Sequence, residues 1–295
     1  MVQNLRALAP MLEQETGVPV LGYLPHMPEA VFGSRHLGLY TAAEIDGLAA
    51  RIGALAAQLE QSVDMPRLLA LCGRRTADGA GRERKAPARK QAARIAVARD
   101  EAFCFAYAET LESLRDAGAE LVFFSPVHDA ALPGGAGGLY LPGGYPENRA
   151  LQLSAAPRVI DSVKAHIERG GKTIAECGGM MYLASELVMC KDPYTAFKMV
   201  DALPMKVSAC KDDMRLAMGY RSFDFRGVKL RGHEFHYSRI IEQDEKLASA
   251  VQVYNAKGHP VNTAVFRYKN LIASYTHLYW GETGIWSLFE QVPGK

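Results

Sequence analysis

The chain has 295 residues, enough for one large or two ordinary domains and for a sizeable core. Hydrophobic residues make up 48% and charged residues 22%, and the formal net charge is only +2, so composition gives no reason to expect a nucleic-acid or membrane-surface partner. No run of about 18 apolar residues spans a bilayer, Met1–Gln14 lacks the apolar centre of a signal peptide, and five scattered cysteines without a C-x-x-C pair suggest neither a zinc site nor a disulfide framework. The expected compartment is a reducing cytoplasm.

In chain order, Leu5 to Thr16 has helical spacing and Val18 to Pro25 reads as a short strand. Ala42 to Gln61 is next, a long helix with Thr41 as N-cap and Glu44 three residues on. Residues 1–72 hold only one clear strand, too little for a doubly wound domain by themselves. They are expected either to pack on the second domain or to be the tail of a domain whose beginning is absent. Residues 73–93, rich in small and basic side chains, bury too little surface to offset their ordering entropy and read as a linker.

Strand and helix patterns then alternate. Strands are expected at 94–99, 120–124, 138–141 and 172–175, and helices at 105–117, 146–168 and 179–187. Such alternation predicts an α/β fold, a mostly parallel sheet flanked by helices. From about Met205 the pattern changes to short strands, including 230–237, 263–268 and 271–276, before a terminal helix at 284–291.

In a sheet of this kind function gathers at the carboxyl ends of strands, which directs attention past Leu141, Ala175 and Tyr275. Cys177 lies between a strand and a helix, in A-E-C-G-G-M, where the two glycines after it permit a tight turn. A helix N-terminus there favours thiolate over thiol. Cys104 and Cys190, in apolar surroundings, are expected to be ordinary buried cysteines. Gly143 and Gly144, in L-P-G-G-Y-P-E, let backbone N–H groups face a developing oxyanion.

Eight histidines are candidates for the base. His277 ends an apolar strand. His233 and His236 sit three apart in one strand and so point to opposite faces, a poor metal site. His166 is expected to be solvated, and His26, His36, His128 and His259 to lie on the surface. Spacing leaves His277 and His236 as the leading bases.

Taken together and in this order, L-P-G-G-Y-P-E (141–147), A-E-C-G-G-M-M-Y-L (175–183), R-G-H-E-F-H-Y-S (231–238) and A-S-Y-T-H-L (273–278) resemble the glutamine amidotransferase domain of the cobyrinate a,c-diamide synthase family. The resemblance covers roughly residues 94–290. Residues 17–25 and 35–39 resemble the end of the same family's ATP-binding domain. It implies a class I glutamine amidotransferase-like domain over 94–295. Before it would come a small α/β remnant, 1–72, of a dethiobiotin-synthetase-like P-loop domain.

The resemblance further implies that Cys177 is the nucleophile, that His277 activates it, and that Gly144 and Gly178 form the oxyanion hole. Gly143, Tyr145, His233, Glu234, His236 and Tyr237 would lie near glutamine or a tetrapyrrole substrate. The family reaction it implies uses ATP and Mg2+ to activate the a and c acetate carboxylates of a cobyrinate-type corrinoid, and ammonia from glutamine to amidate them. Relatives that amidate sirohydrochlorins, and a non-catalytic partner subunit of the same fold, are the alternatives; a cysteine hydrolase acting without ATP is the unrelated one. A homodimer is a further expectation, with no metal held by the chain.

Two departures qualify the resemblance. Where many amidotransferases place a glutamate two residues after the histidine, Tyr279 stands here, so a Cys–His dyad is expected. No G-x-x-x-x-G-K-[ST] motif occurs, so ATP is expected to need another polypeptide.

Overall fold

The computed structural model describes residues 2–35, 38–40, 42–73 and 93–280. It divides into two compact units, Met1–Glu83 and Arg84–Lys295. Their boundary falls inside the segment expected to be a linker. Residues 74–92 of that segment lie outside the described residues, as does the helix expected at 284–291.

The first unit comprises α1 (Val2–Thr16), β1 (Ser34–Arg35), β2 (Gly38–Leu39), α2 (Leu48–Ser62) and α3 (Met65–Cys72), with β1 and β2 antiparallel. Ala30 is the only buried residue among its described residues. The strand expected at 18–25 is instead a single bridge from Gly22 to Val63, because Pro19 and Pro25 bring no N–H to a ladder. The helix expected from Ala42 begins only at Leu48. Ala42–Glu44 is one 3-10 turn, and Gly47 turns the chain at φ +68°. Thr41, its expected cap, lies outside the described residues.

The second unit opens with β3 (Arg94–Ala98), α4 (Ala108–Asp116), β4 (Glu120–Phe124), β5 (Gly138–Leu141), α5 (Ala150–Ser154), α6 (Pro157–Glu168), β6 (Lys172–Glu176) and α7 (Gly178–Tyr182). Strands come next: β7 (Ala184–Lys191), β8 (Tyr194–Lys198), β9 (Leu203–Ser208), β10 (Ala217–Phe225), β11 (Val228–His236), β12 (Arg239–Gln243), β13 (Val253–Asn255), β14 (Pro260–Val261), β15 (Val265–Tyr268), β16 (Leu271–Ser274) and β17 (His277–Leu278). The central sheet has the order β15-β16-β6-β5-β3-β4, parallel except where β15 pairs with β16. Two further sheets, β14-β13-β10-β11-β17 and β12-β9-β7-β8, complete the unit.

Both faces of the central sheet are covered, which is why its inner strands are apolar without alternation. On one face Ala96, Leu139, Leu141, Ala175 and Ala273 join a core with Leu153, Val163, Ile167 and Met180 of the helices. On the other, Ile95, Val97, Tyr140, Ile174 and Ile272 pack with Leu114, Phe223, Leu230 and Trp280.

Three expected helices are shorter than predicted. The one expected from Phe105 starts at Ala108, because Phe105 is drawn into a bridge with Gly143. The one expected at 146–168 is a 3-10 turn and two helices, broken at Ala155–Ala156, since a residue preceding proline resists helical geometry and Pro157 is next. The one expected at 179–187 ends at Tyr182. Residues from Ala184 instead form β7, paired with β8 and β9, a case of tertiary pairing overriding local preference.

Candidate active site

The tips of β5, β6 and β17 carry the residues of interest. At the end of β6 the chain turns through Cys177, whose φ of +47° and ψ of −107° put a non-glycine residue in strained backbone. Strain of this kind costs about 1–3 kcal/mol and is held only where the surroundings over-determine it. Here the Cys177 N–H donates to the Ser274 carbonyl at 2.8 Å, and α7 begins at the next residue. The turn needs small neighbours. A methyl group on Gly178 would lie 3.0 Å from both the nitrogen and the oxygen of Gly144, and 2.9 Å from Pro146 Cδ.

His277 is buried at the start of β17, beside the same loop. A methyl group on Gly143 would sit 2.3 Å from its Cε1, so only glycine lets the imidazole approach the backbone this closely. The ring is also held from two sides. Phe105 meets it edge-on at 4.8 Å between centroids, and His233 stacks on it at 5.0 Å and 17°. His233 is itself fixed, its Nδ1 3.0 Å from the Tyr107 hydroxyl. His277 Nδ1 is buried and has no hydrogen-bond partner among the described residues. Phe105 and His233 thus fix the orientation of this imidazole by aromatic packing. Tyr279, two residues on, is 45% exposed.

Burial pushes the Cys177 thiol well above its ordinary value; Glu147 adds to the rise, and the Gly178 N–H opposes it. Desolvation thus outweighs the helix N-terminus expected to favour the thiolate. Burial likewise lowers His277 to about 3, with His233 and His236 adding to the effect. Burial thus disfavours the charged form of both groups.

The back of β11 carries a second polar group. Glu234 accepts from Arg221 Nε at 2.6 Å and from Thr263 at 2.7 Å through Oε2, while its Oε1 lies 2.8 Å from His236 Nε2. Burial raises the Glu234 carboxyl, but its bonds to His236 and Thr263 and the nearby charges bring it down to about 2. His236 stacks on Tyr275 at 3.6 Å, and the Tyr275 hydroxyl lies 3.0 Å from Ser238 Oγ. These groups line a cavity of about 590 Å³.

Residues 94–284 match the CobB/CobQ-like glutamine amidotransferase domain. The chain belongs to that family. It is 37% identical to cobyrinate a,c-diamide synthase of Dehalococcoides mccartyi, over 92% of this chain and 60% of that protein. It is 36% identical to the enzyme of the same name from Priestia megaterium, over 92% of this chain and 59% of the relative. Hydrogenobyrinate a,c-diamide synthase of Brucella ovis is 37% identical, over 92% of this chain and 61% of its own length. The chain therefore spans about three-fifths of the length of these relatives.

In this glutamine amidotransferase domain the fold gathers Cys177, Gly143, Gly144, Gly178, His233 and His277 at one end of the central sheet. Glu234 and His236 lie on the opposite face of β11 from His233, as their spacing requires. Tyr145 is half-buried and donates its N–H to Ala102, and Tyr237 is half-buried with its carbonyl accepting from Arg215.

Three expectations are corrected. His166 is buried, packed where Gly171 leaves room for its ring, and burial lowers its pKa. Cys104 is exposed in the loop before the Phe105 bridge, and Cys190 is half-exposed near the end of β7, where that strand runs out into a turn. His128 is exposed as expected, 2.9 Å from Glu101.

Glu176 escapes a reading by motif. Its carboxylate is buried and accepts from the Tyr140 hydroxyl at 2.9 Å, the Leu278 N–H at 3.3 Å and Trp280 Nε1 at 3.1 Å. A lone acid closing an apolar strand was the available signal. Burial raises it from an ordinary 4.5 to about 7, its three hydrogen bonds opposing the rise. A raised carboxyl stabilises the fold most below its unfolded value and loses that contribution as pH climbs towards its folded one. The slope reaches about 1.4 kcal/mol per pH unit. Thermal unfolding of Glu176→Gln against wild type should accordingly show a Tm difference that shifts in the variant's favour between pH 5 and 7 and then levels. A pH-independent difference would contradict this.

Proposed function

We propose that this chain is the glutaminase portion of a corrinoid a,c-diamide synthase. The observation that carries the reading is the convergence of a strained cysteine elbow, a buried imidazole and two close-packed glycines on one sheet end. As the Cys177 sulfur attacks the side-chain amide carbon of glutamine, His277 takes the thiol proton. The N–H groups of Gly144 and Gly178 receive the charge that develops on the amide oxygen. Collapse of the tetrahedral species returns the proton to the departing nitrogen, and ammonia leaves a γ-glutamyl thioester. Water then attacks the thioester, with His277 accepting its proton, and glutamate is released.

Burial disfavours the charged forms of Cys177 and His277 alike, which favours transfer of the proton as the sulfur attacks. His233 and Tyr145 border the glutamine. The Glu234–His236 group and Tyr237 belong to the walls that shape its approach.

ATP and Mg2+ belong to the amidation of the corrinoid carboxylates. The residues present do not fit a P-loop nucleotide site: the motif is absent from the 295 residues, and the described residues group no three metal-ligating side chains. We assign nucleotide binding to a polypeptide segment outside these residues, with residues 1–72 as the tail of that domain. Relatives named for cobyrinate and for hydrogenobyrinate support a corrinoid substrate with or without cobalt. Among the described residues no helix is long and apolar enough to cross a membrane.

The test adds components in turn. The chain with glutamine alone should release glutamate. Diamide should form only when a relative's P-loop domain, ATP, Mg2+ and a cobyrinate-type corrinoid are all supplied. Diamide formation by this chain with ATP and corrinoid alone would overturn the assignment of the nucleotide site.

A further inference from the structure

Three elements have to be held in register for the proposed chemistry. These are β6, which delivers Cys177; β5, which leads into Gly143 and Gly144; and β17, which carries His277. Main-chain bonds join β5 to β6 as parallel neighbours, but β17 belongs to a different sheet, where it pairs with β11 at Gly232 and His233. The register between nucleophile and base therefore cannot come from one ladder.

One side chain reaches all three. Glu176 immediately precedes Cys177, and its Oε1 accepts from the N–H of Leu278, the residue immediately after His277. The same oxygen accepts from Trp280 Nε1, two residues further along, while Oε2 accepts from the hydroxyl of Tyr140 on β5. Tyr140 and Trp280 pack on each other at 5.2 Å between centroids, closing an apolar collar around the carboxylate. Alternation along β6 turns Glu176 away from the face on which Cys177 emerges, so it does not reach the reacting atoms. Nor does it contact His277 Nδ1, which has no hydrogen-bond partner among the described residues. It is placed to act through backbone and neighbours only.

We propose that Glu176 is a positioning residue that ties the strands bearing the nucleophile, the oxyanion loop and the base into one register. This rests on the proposed glutaminase chemistry and names a residue which that chemistry does not use. A buried acceptor serving three donors is costly to lose, because each donor is then left unpaired in a dry site.

The experiment compares Glu176→Ala, Glu176→Gln, Tyr140→Phe and Trp280→Phe with wild type. It measures glutamate release with kcat and KM resolved, and the rate at which iodoacetamide alkylates Cys177, using Cys177→Ser as the blank. Alanine should lower kcat by about tenfold to a hundredfold with glutamine KM nearly unchanged, the pattern of a displaced base rather than a lost substrate contact. Glutamine should restore most of kcat, since its oxygen still accepts from Leu278 and Trp280 and its amide can donate to the tyrosine oxygen. The two single-link variants, which spare the carboxylate, should fall between wild type and alanine, and they decide the matter if the alanine protein does not fold.

A wild-type kcat in Glu176→Ala, or in both single-link variants, would overturn the proposal. So would a glutamine variant as impaired as alanine, because charge and not hydrogen-bond register would then be at work. If wild type itself releases no glutamate, the glutaminase reading fails and the alkylation rates decide Glu176. Slower alkylation in alanine with recovery in glutamine supports it; equal rates in all three overturn it.

Discussion

Replacing Cys177 by serine should reduce glutamate release by at least about 10⁴-fold, and replacing His277 by alanine should reduce it comparably, with the double variant little worse than either. The non-additivity comes from the site's electrostatics. Burial raises the Cys177 thiol and lowers His277, which disfavours an unassisted thiolate, so the proposed attack needs both groups together. Serine is a stricter probe than alanine, because it preserves volume in a turn whose backbone sits at φ +47°. Steady-state glutamate production, with circular dichroism to verify folding, checks the result. A His277→Ala protein within about tenfold of wild type would move the base elsewhere, and His233, stacked 5.0 Å from His277, would be the next to replace.

The second large effect is expected at a residue with no reactive group. Gly143→Ala places a methyl 2.3 Å from His277 Cε1 and 3.0 Å from its Nδ1. The imidazole cannot slide aside freely, with Phe105 on one side and His233 on another. Phe105 is itself pinned, its N–H donating to the Gly143 carbonyl at 3.1 Å. Gly143 is not among the positive-φ residues, so no left-handed backbone strain adds to the steric clash. Displacing a catalytic group by about 1 Å is worth roughly a hundredfold in rate, whereas overpacking costs about 1–3 kcal/mol of stability. The variant should thus fold with a modestly lower Tm and lose about a hundredfold in kcat. Activity within twofold of wild type would mean that the imidazole's present position is not the working one.

How legible this site was depends on the range of the interactions involved. Cys177 could be read locally: a strand, a cysteine and two glycines determine a tight elbow by themselves. The parallel strands were legible too, as short apolar runs buried on both faces. His277 needed the resemblance, since spacing alone left it level with His236. What separates them is only visible in three dimensions, where β17 brings His277 onto Gly143 while His236 faces the back of β11. Glu176 and the aromatic holders Phe105, Tyr107 and His233 act through contacts between residues more than a hundred positions apart in several cases. No local pattern encodes such contacts. The misread helix at 179–187 has the same origin, because Leu187 and Val188 become strand only by pairing with β8 and β9.

A covalent intermediate at one sulfur is central to the proposed chemistry, so the most direct measurement is intact-protein and peptide mass spectrometry of the chain quenched in acid during turnover with glutamine. The expected result is one added glutamyl group, carried by the peptide that contains Cys177 and absent from Cys177→Ser. Glutamate release by wild type without that adduct under any quench, or an adduct on Cys104, Cys190 or Cys210 instead, would contradict it.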